Sequence, residues 1–206
     1  MERLISLLIG YLLGCFLTAE TVAHRWAGTG AANLGDTGNP GMANIMGSLG
    51  FVPGIVTLAG DLGKCIAAGL ICYGLFHTEG WIIVLYAGVG CTLGHDFPFW
   101  RHFRGGKGVA TTSMAIVLYA FLPGLLSNLA GMGVVFATQY LCIGGPVIPG
   151  VFMILMLIRS DVEAAVLAAF LTLLSLWKHG PAILRIREGK TKKTDVIGAV
   201  TKKLKK

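Results

Sequence analysis

Charge is what this chain has least of. Only 13% of its 206 residues are Asp, Glu, Lys or Arg, about half the share of an ordinary soluble domain. With 54% hydrophobic residues and a mean hydropathy of +0.73, a water-soluble globular fold is excluded. Several catalytic signatures are also missing. No histidine is followed five residues later by an aspartate, so the His-x4-Asp acyltransferase arrangement is absent. There is no GxSxG elbow and no HExxH helix, which removes the usual serine hydrolase and zinc hydrolase readings. The five cysteines are scattered and odd in number, without CxxC or Cys/His metal spacing. No metal and no cofactor are expected.

What is present is a series of apolar runs, several long enough to cross a bilayer at about 20 residues each. They predict an all-α integral membrane protein of seven spans: 3–23, 51–75, 80–97, 109–127, 129–144, 145–159 and 162–178. The first run resembles a signal-peptide core at Ile5–Leu17, but no small-residue cleavage pattern follows, so it reads as a retained helix. The fifth and sixth spans are short. Gly144, Gly145, Pro146, Pro149 and Gly150 between them predict a re-entrant or broken segment. One polytopic domain, 1–178, would be followed by a basic tail, 179–206.

Ten of the 17 Lys and Arg residues lie from Lys178 onward. Beside a last apolar span, such a tail marks the cytoplasmic side and anionic lipid headgroups rather than nucleic acid. Seven spans then put the N-terminus outside. Arg25 after span 1, and Arg101, Arg104 and Lys107 after span 3, fall inside, as the positive-inside rule asks. The loop at His77 and Glu79 falls outside, as do Arg159, Asp161 and Glu163. A six-span or eight-span count breaks this agreement. No fixed-period repeat is present, which weakens a transporter reading.

This topology gathers four polar elements at the cytoplasmic face: the Gly/Asn-rich stretch 35–50, the GGKG turn, a turn at Cys142–Gly145, and His179. The most informative is Gly94–Thr112, where Gly105, Gly106 and Gly108 surround Lys107 ahead of a helix start at Val109–Thr112. Glycine N–H groups, a cation and a helix N-terminus make a phosphate cradle. It is not a nucleotide P-loop: Arg101 stands at the first glycine and Gly108 at the hydroxyl position. The stretch Gly35–Asn44, with Gly38, Asn39, Gly41 and Asn44, is either an anion nest or a surface linker. Asp61 and Lys64 share a helix face at i,i+3. Such intramembrane ions suggest function, but a compensated pair or a snorkelling lysine is the plain alternative. Asp61 falls near mid-depth and reads as structural, with Lys64 open. Lys178-His179 ends the last span; a histidine there can bind phosphate, move a proton or simply anchor the helix. His95 has the same readings.

These residues together resemble the acyl-phosphate-dependent glycerol-3-phosphate acyltransferases of bacteria, over nearly the whole chain. The matching positions are Gly94-His95, Phe97-Pro98, Phe103–Thr111, Gly38-Asn39-x-Gly41-x-x-Asn44, Asp61-x-x-Lys64 and His179. The resemblance implies acyl transfer from a fatty acyl phosphate to the 1-hydroxyl of glycerol 3-phosphate, giving lysophosphatidate in phospholipid synthesis. It implies a monomer in the bacterial plasma membrane, with the acceptor's own phosphate helping to remove the hydroxyl proton. Carried over residue by residue, the catalytic positions are Lys107, His179, Thr37 and Asn39. Substrate and phosphate contacts fall to Gly38, Gly41, Asn44, Lys64, Arg104, Gly105, Gly106, Gly108 and Cys142. The chain departs from the family pattern at Thr37 (serine), Ala43 (threonine), Gly47 (arginine), Cys142 (serine) and Ala182 (asparagine), and Gly189-Lys190-Thr191 replaces Gly-x-Glu. A lost arginine–phosphate bond is worth about 1.5–3 kcal/mol, or about one to two decades of affinity. The departures keep two further readings open: an acyl-phosphate enzyme with another acceptor, and a non-catalytic lipid- or phosphate-binding membrane protein.

Overall fold

The structure is a computed structural model that describes residues 1–35, 38–191 and 193. Among the described residues the regular structure is helical, and the chain forms two compact units, Met1–Phe121 and Leu122–Lys206. The nine α-helices are α1 (Glu2–Gly14), α2 (Thr18–Ala27), α3 (Met42–Leu49), α4 (Phe51–Phe76), α5 (Ile82–Asp96), α6 (Val109–Tyr119), α7 (Phe121–Thr138), α8 (Leu141–Ile158) and α9 (Val162–Arg187). In hydrocarbon a helix satisfies its own backbone polar groups, which is why apolar composition of this kind resolves into helices.

Among the described residues, six segments are long and apolar enough to span a membrane: Glu2–Ala27, Phe51–Glu79, Ile82–Arg101, Phe121–Thr138, Leu141–Ile158 and Val162–Arg187. The seventh expected span is α6. Its 11 residues give a rod of about 16 Å, roughly half the hydrocarbon thickness. It ends where Ala120 turns extended (φ −141°, ψ 98°), earlier than the expected 127. The first expected span is also divided, into α1 and α2, by Cys15–Leu17.

The break expected around Gly144–Gly150 lies elsewhere. Gln139 takes φ 63° and Tyr140 is extended, so the chain reverses at 139–140. Helix α8 then runs unbroken through Pro146 and Pro149. Cys142 and Gly145 are therefore in the first turns of a helix, not in a turn or a re-entrant loop. Proline in a membrane helix is tolerated where neighbours and local adjustment satisfy the freed backbone groups. Helix α9 likewise continues past Lys178 through Pro181 to Arg187, so the start of the expected tail is helical. Residues 192 and 194–206 of that tail lie outside the described residues.

In the first unit, α1 and α5 share the tightest contact. Gly10 and Gly14 on one helix meet Gly90 and Gly94 on the other. A Cβ at Gly10 would strike the Ala87 carbonyl oxygen, at Gly14 that of Cys91, at Gly90 that of Leu7 and at Gly94 that of Tyr11. Both helices thus carry a GxxxG stripe, and backbone touches backbone. The contacts advance together along both helices, from Leu7 with Gly90 to Tyr11 with Gly94, so α1 and α5 run parallel. Helix α4 runs the other way beside them: Cys72 Sγ contacts the Ser6 carbonyl at one end and Lys64 the Gly14 carbonyl further along. The buried residues between are mostly small: Ala68, Cys72 and Ala87 with the larger Ile83 in one cluster, Cys65, Cys91 and Ala115 in another. A separate cluster of Ala19, Val22, Ala23, Ala31 and Ile45 packs α2 against α3.

In the second unit, α8 packs along α9, and Gly131 on α7 meets Ile148 and the Gly144 carbonyl on α8. Asp161 caps α9 by accepting from the Ala164 N–H at 3.2 Å.

The glycine seam predicts a measurable penalty. Gly94→Ala forces a methyl into the Tyr11 carbonyl and should destabilise the protein by about 1–3 kcal/mol, read as a lower unfolding temperature in detergent. The same substitution at exposed Gly74, which has open space around it, should leave that temperature unchanged.

Candidate active site

The GGKG turn is built on the end of α5. Its backbone doubles back after Pro98 through His102 (φ 51°) and Phe103 (φ 59°), two left-handed non-glycine residues in succession. Such strain persists only where surrounding contacts hold it. Here the Arg101 and Phe103 N–H groups both donate to the Pro98 carbonyl, each at 3.1 Å. Gly105 N–H then donates to Asp96 O at 3.1 Å and Gly106 N–H to His95 O at 2.9 Å. A phosphate cradle made of these two N–H groups was the expectation; instead they satisfy the orphan carbonyls at the C-terminus of α5. The glycines are needed for space. A Cβ at Gly105 would enter the His95 carbonyl, and one at Gly106 the His95 ring.

Gly108 closes the turn at φ 65° and serves as the N-cap of α6, as the helix start expected at Val109 requires. It has no side chain to occupy the first N–H groups of α6, a helix end that favours negative charge, and the buried Asp96 carboxylate lies against it. Lys107, half-buried, stands immediately before it, and Arg104 is exposed on the approach. A chain of buried hydroxyls pins this start to α5. Thr92 Oγ1 donates to Thr111 Oγ1 at 3.1 Å, and Thr111 Oγ1 donates to the Gly108 carbonyl at 3.0 Å. Thr112 Oγ1 lies 3.4 Å from Thr92 Oγ1. The buried Asp96 carboxylate sits against Gly108, where an added Cβ would come within 3.0 Å of it.

Behind the turn lies a buried ionic cluster. Lys64 Nζ is 2.9 Å from Asp61 Oδ1 and 2.9 Å from His95 Nδ1. It also donates to the Phe16 carbonyl at 2.8 Å and the Gly14 carbonyl at 3.3 Å. Thr18 Oγ1 donates to Asp61 Oδ1 at 3.3 Å. An ammonium has only donors, so His95 Nδ1 accepts from Lys64 and the ring proton sits on Nε2, beside Gly106. Lys64 was expected among the phosphate contacts. With 8% of its surface exposed and its amine directed at four internal partners, it holds the α1–α2 break instead.

The N-terminal motif divides similarly. Asp36 and Thr37 lie outside the described residues. Gly38 is left-handed (φ 57°), and its Cβ position faces the Ala32 carbonyl at 2.7 Å. Gly41 N–H donates to Asn39 O at 2.9 Å and Gly41 caps α3. Of the expected irregular stretch Gly35–Asn44, Met42–Asn44 open helix α3. Asn44 Nδ2 donates to the Leu34 carbonyl at 3.0 Å and the Ala31 carbonyl at 3.4 Å, so its amide braces the loop rather than facing outward. Asn39 is half-buried beside Gly41.

In the second unit, His179 is buried on α9 with Nδ1 2.9 Å from the Ser175 carbonyl. A carbonyl only accepts, so Nδ1 carries the proton and Nε2 is the basic nitrogen of the neutral ring. Cys142 is buried at the second residue of α8. Among the described residues all five cysteines are free.

Sequence reasoning passed over Asp96, Thr92, Thr111 and Glu20. Asp96 carried a signal, since an acid ending an apolar span is costly unless used; hydroxyls in apolar helices carry none.

The cluster separates structure from ligand binding. Asp61→Asn or Lys64→Met alone leaves one buried charge, and each should cost about 3–5 kcal/mol. The Asp61→Leu, Lys64→Met double variant should recover most of that in a thermal unfolding series. A double variant that is stable yet inactive would return Lys64 to the substrate contacts.

A family model described as glycerol-3-phosphate acyltransferase matches residues 4–189. The glycerol-3-phosphate acyltransferase 1 of Lactobacillus johnsonii is 37% identical over 204 residues, covering 99% of this chain and 98% of that one. The glycerol-3-phosphate acyltransferase of Clostridioides difficile is 33% identical over 193 residues, covering 92% and 94%. A crystal structure of PlsY (YgiH), an integral membrane glycerol 3-phosphate acyltransferase in its glycerol 3-phosphate form, shares the fold with a TM-score of 0.84. It does so at 24% identity, over 97% of this chain and 99% of that one. With its matched sequence running through the GGKG turn and past His179, this chain belongs to the glycerol-3-phosphate acyltransferase family.

Proposed function

We propose that this protein transfers a fatty acyl group from acyl phosphate to the 1-hydroxyl of glycerol 3-phosphate, releasing phosphate and lysophosphatidate. The observation that carries the reading is the family match along the full chain, GGKG turn included. The acceptor oxygen bonds to the acyl carbon as the acyl–phosphate bond breaks. Because the donor is a mixed anhydride with a good leaving group, neither a covalent intermediate nor a nucleophilic side chain is needed. The chain's work is to position two phosphorylated reactants and stabilise developing charge.

In this reading Lys107 and the α6 N-terminus hold a phosphate, with Arg104 adding charge on the approach. Gly105 and Gly106 serve by shaping the turn against His95. Thr37, Asn39 and His179 take catalytic roles, and Gly38, Gly41 and Cys142 contact substrate; these assignments rest on the motif match. The Nδ1–H bond to Ser175 supports His179 as an acceptor through Nε2. The fold works as a monomer with N-terminus outside, C-terminus cytoplasmic and the site at the cytoplasmic face of the bacterial plasma membrane. That orientation needs half-length α6 to serve as a seventh crossing beside the six long spans; with it, the distribution of Arg and Lys among the loops supports the assignment.

The direct test is turnover of palmitoyl phosphate with glycerol 3-phosphate by purified protein in lipid, following phosphate and lysophosphatidate together. Lys107→Ala and His179→Ala should each lower kcat/KM by about 100-fold or more, about 2.7 kcal/mol, in protein that remains folded. Phosphate release without lysophosphatidate would point to another acceptor.

Gly47 offers a sharper check of the acceptor. It is exposed, with open space at its Cβ, so an arginine fits. If the acceptor is glycerol 3-phosphate, Gly47→Arg should lower its KM by about tenfold, the size of one charge-assisted bond. An unchanged KM would indicate that other groups already fill that role.

A further inference from the structure

We propose that Glu20 is a positioning residue that fixes the two motif loops of the first unit against each other. The proposal rests on the preceding reading, in which both loops contact phosphorylated substrates. Glu20 lies on α2, between those loops in space. Its Oε1 is 2.7 Å from Arg101 Nη1, and its Oε2 accepts the Ala31 N–H at 3.1 Å. The two side chains are largely withdrawn from solvent, at 13% and 21% exposure for Glu20 and Arg101.

Each contact sits at the root of a loop. Ala31 opens the short 3-10 turn Ala31–Asn33 that leads into Gly35–Gly41. Arg101 closes the 3-10 turn Phe99–Arg101, and its carbonyl accepts the Arg104 N–H at 3.0 Å as the chain enters GGKG. One planar carboxylate thus spends one oxygen on each loop from a helix that belongs to neither. Gly30 makes room for it: an added Cβ there would come within 3.1 Å of Oε2. Asn44, which braces the Ala31 and Leu34 carbonyls, extends the same hold into α3. Movement of the Arg101 loop therefore shifts the carboxylate that anchors Ala31.

A plain structural ion pair lowers stability when cut. A positioning carboxylate also transmits loss from one loop to the other and weakens acceptor binding. The test uses the full chain in detergent, with Glu20→Gln, Arg101→Gln, their combination and Arg101→Lys. Hydrogen exchange on the peptide covering 28–35 is read beside kinetics. Arg101→Gln should speed exchange at Ala31, in the loop that does not contain the substitution. Both single variants should raise KM for glycerol 3-phosphate by about fivefold or more while kcat stays within about twofold. The double variant should be no worse than the worse single, and Arg101→Lys should recover most of the loss.

Unchanged exchange at 28–35 in Arg101→Gln, additive penalties in the double variant, or transferred exchange without a change in KM would each overturn the proposal. If Glu20→Gln does not yield folded protein, the two Arg101 variants decide alone. A wild-type chain with no acyltransferase activity defeats the preceding reading, while the exchange data still decide the link between the loops.

Discussion

Lys64 is the point on which the first unit closes. Its ammonium sits where α1 stops, where α4 passes and where α5 is about to end. The carbonyls of Gly14 and Phe16, left open by the break between α1 and α2, need donors that no water supplies in hydrocarbon. Lys64 supplies them, and Asp61 compensates the charge at 2.9 Å. The same ammonium takes the lone pair of His95 Nδ1, which fixes the ring whose far side rests on Gly106. The position of the GGKG turn thus traces back through one histidine to a buried cation. The parallel seam of α1 and α5 makes this possible, since backbone-to-backbone contact brings Gly14, Phe16 and His95 within reach of one side chain.

Hydrogen-bond accounting then assigns the parts of the turn. Gly105 and Gly106 N–H groups are consumed by α5, and the Gly108 carbonyl accepts from Thr111 and from the Thr112 N–H. What this leaves pointing forward is the start of α6 with Lys107 beside it. The first half of the loop is tied backward and the second half opens a helix, which in the proposed phosphate-holding role makes the loop a rigid platform. It avoids the entropy that a flexible glycine loop would lose on binding.

Much of this was legible in the sequence, and the limits have physical causes. Low charge and long apolar runs announced a helical membrane protein, and the Asp61–Lys64 spacing announced an ion pair. The helix start at Val109 followed from the glycines before it. The misplaced boundaries share one origin: apolar content does not mark where a membrane helix ends. Proline at 146 and 149 reads as a break in water, but in this setting α8 carries it, while the real reversal at Gln139 has an unremarkable sequence. The half-length α6 was read as a full span because apolar residues continue beyond Ala120. The family resemblance implied Asn44 and Lys64 as substrate contacts, while the residues alone left Lys64 open. Only the fold shows that carbonyls of Ala31, Leu34, Gly14 and Phe16 claim them first.

The departures from the family pattern fall on a different class of position from the supports. Gly47 and Ala182 lack the polar side chains found in the family, and Cys142 weakens one. The groups that hold the loops, by contrast, are backbone carbonyls, buried threonines and the two carboxylates Asp61 and Glu20. With an activated donor, the chemical step asks little of any single side chain, so the arrangement of donors matters more than their number. A chain can then lose a peripheral cation at a cost of about one to two decades in affinity. Losing the buried pair under the turn removes a partner from a charge that has no water to turn to, which is a folding penalty before it is a catalytic one. The two positions differ in where they sit: Gly47 is on an exposed helix face, and the Lys64 amine lies among four internal partners.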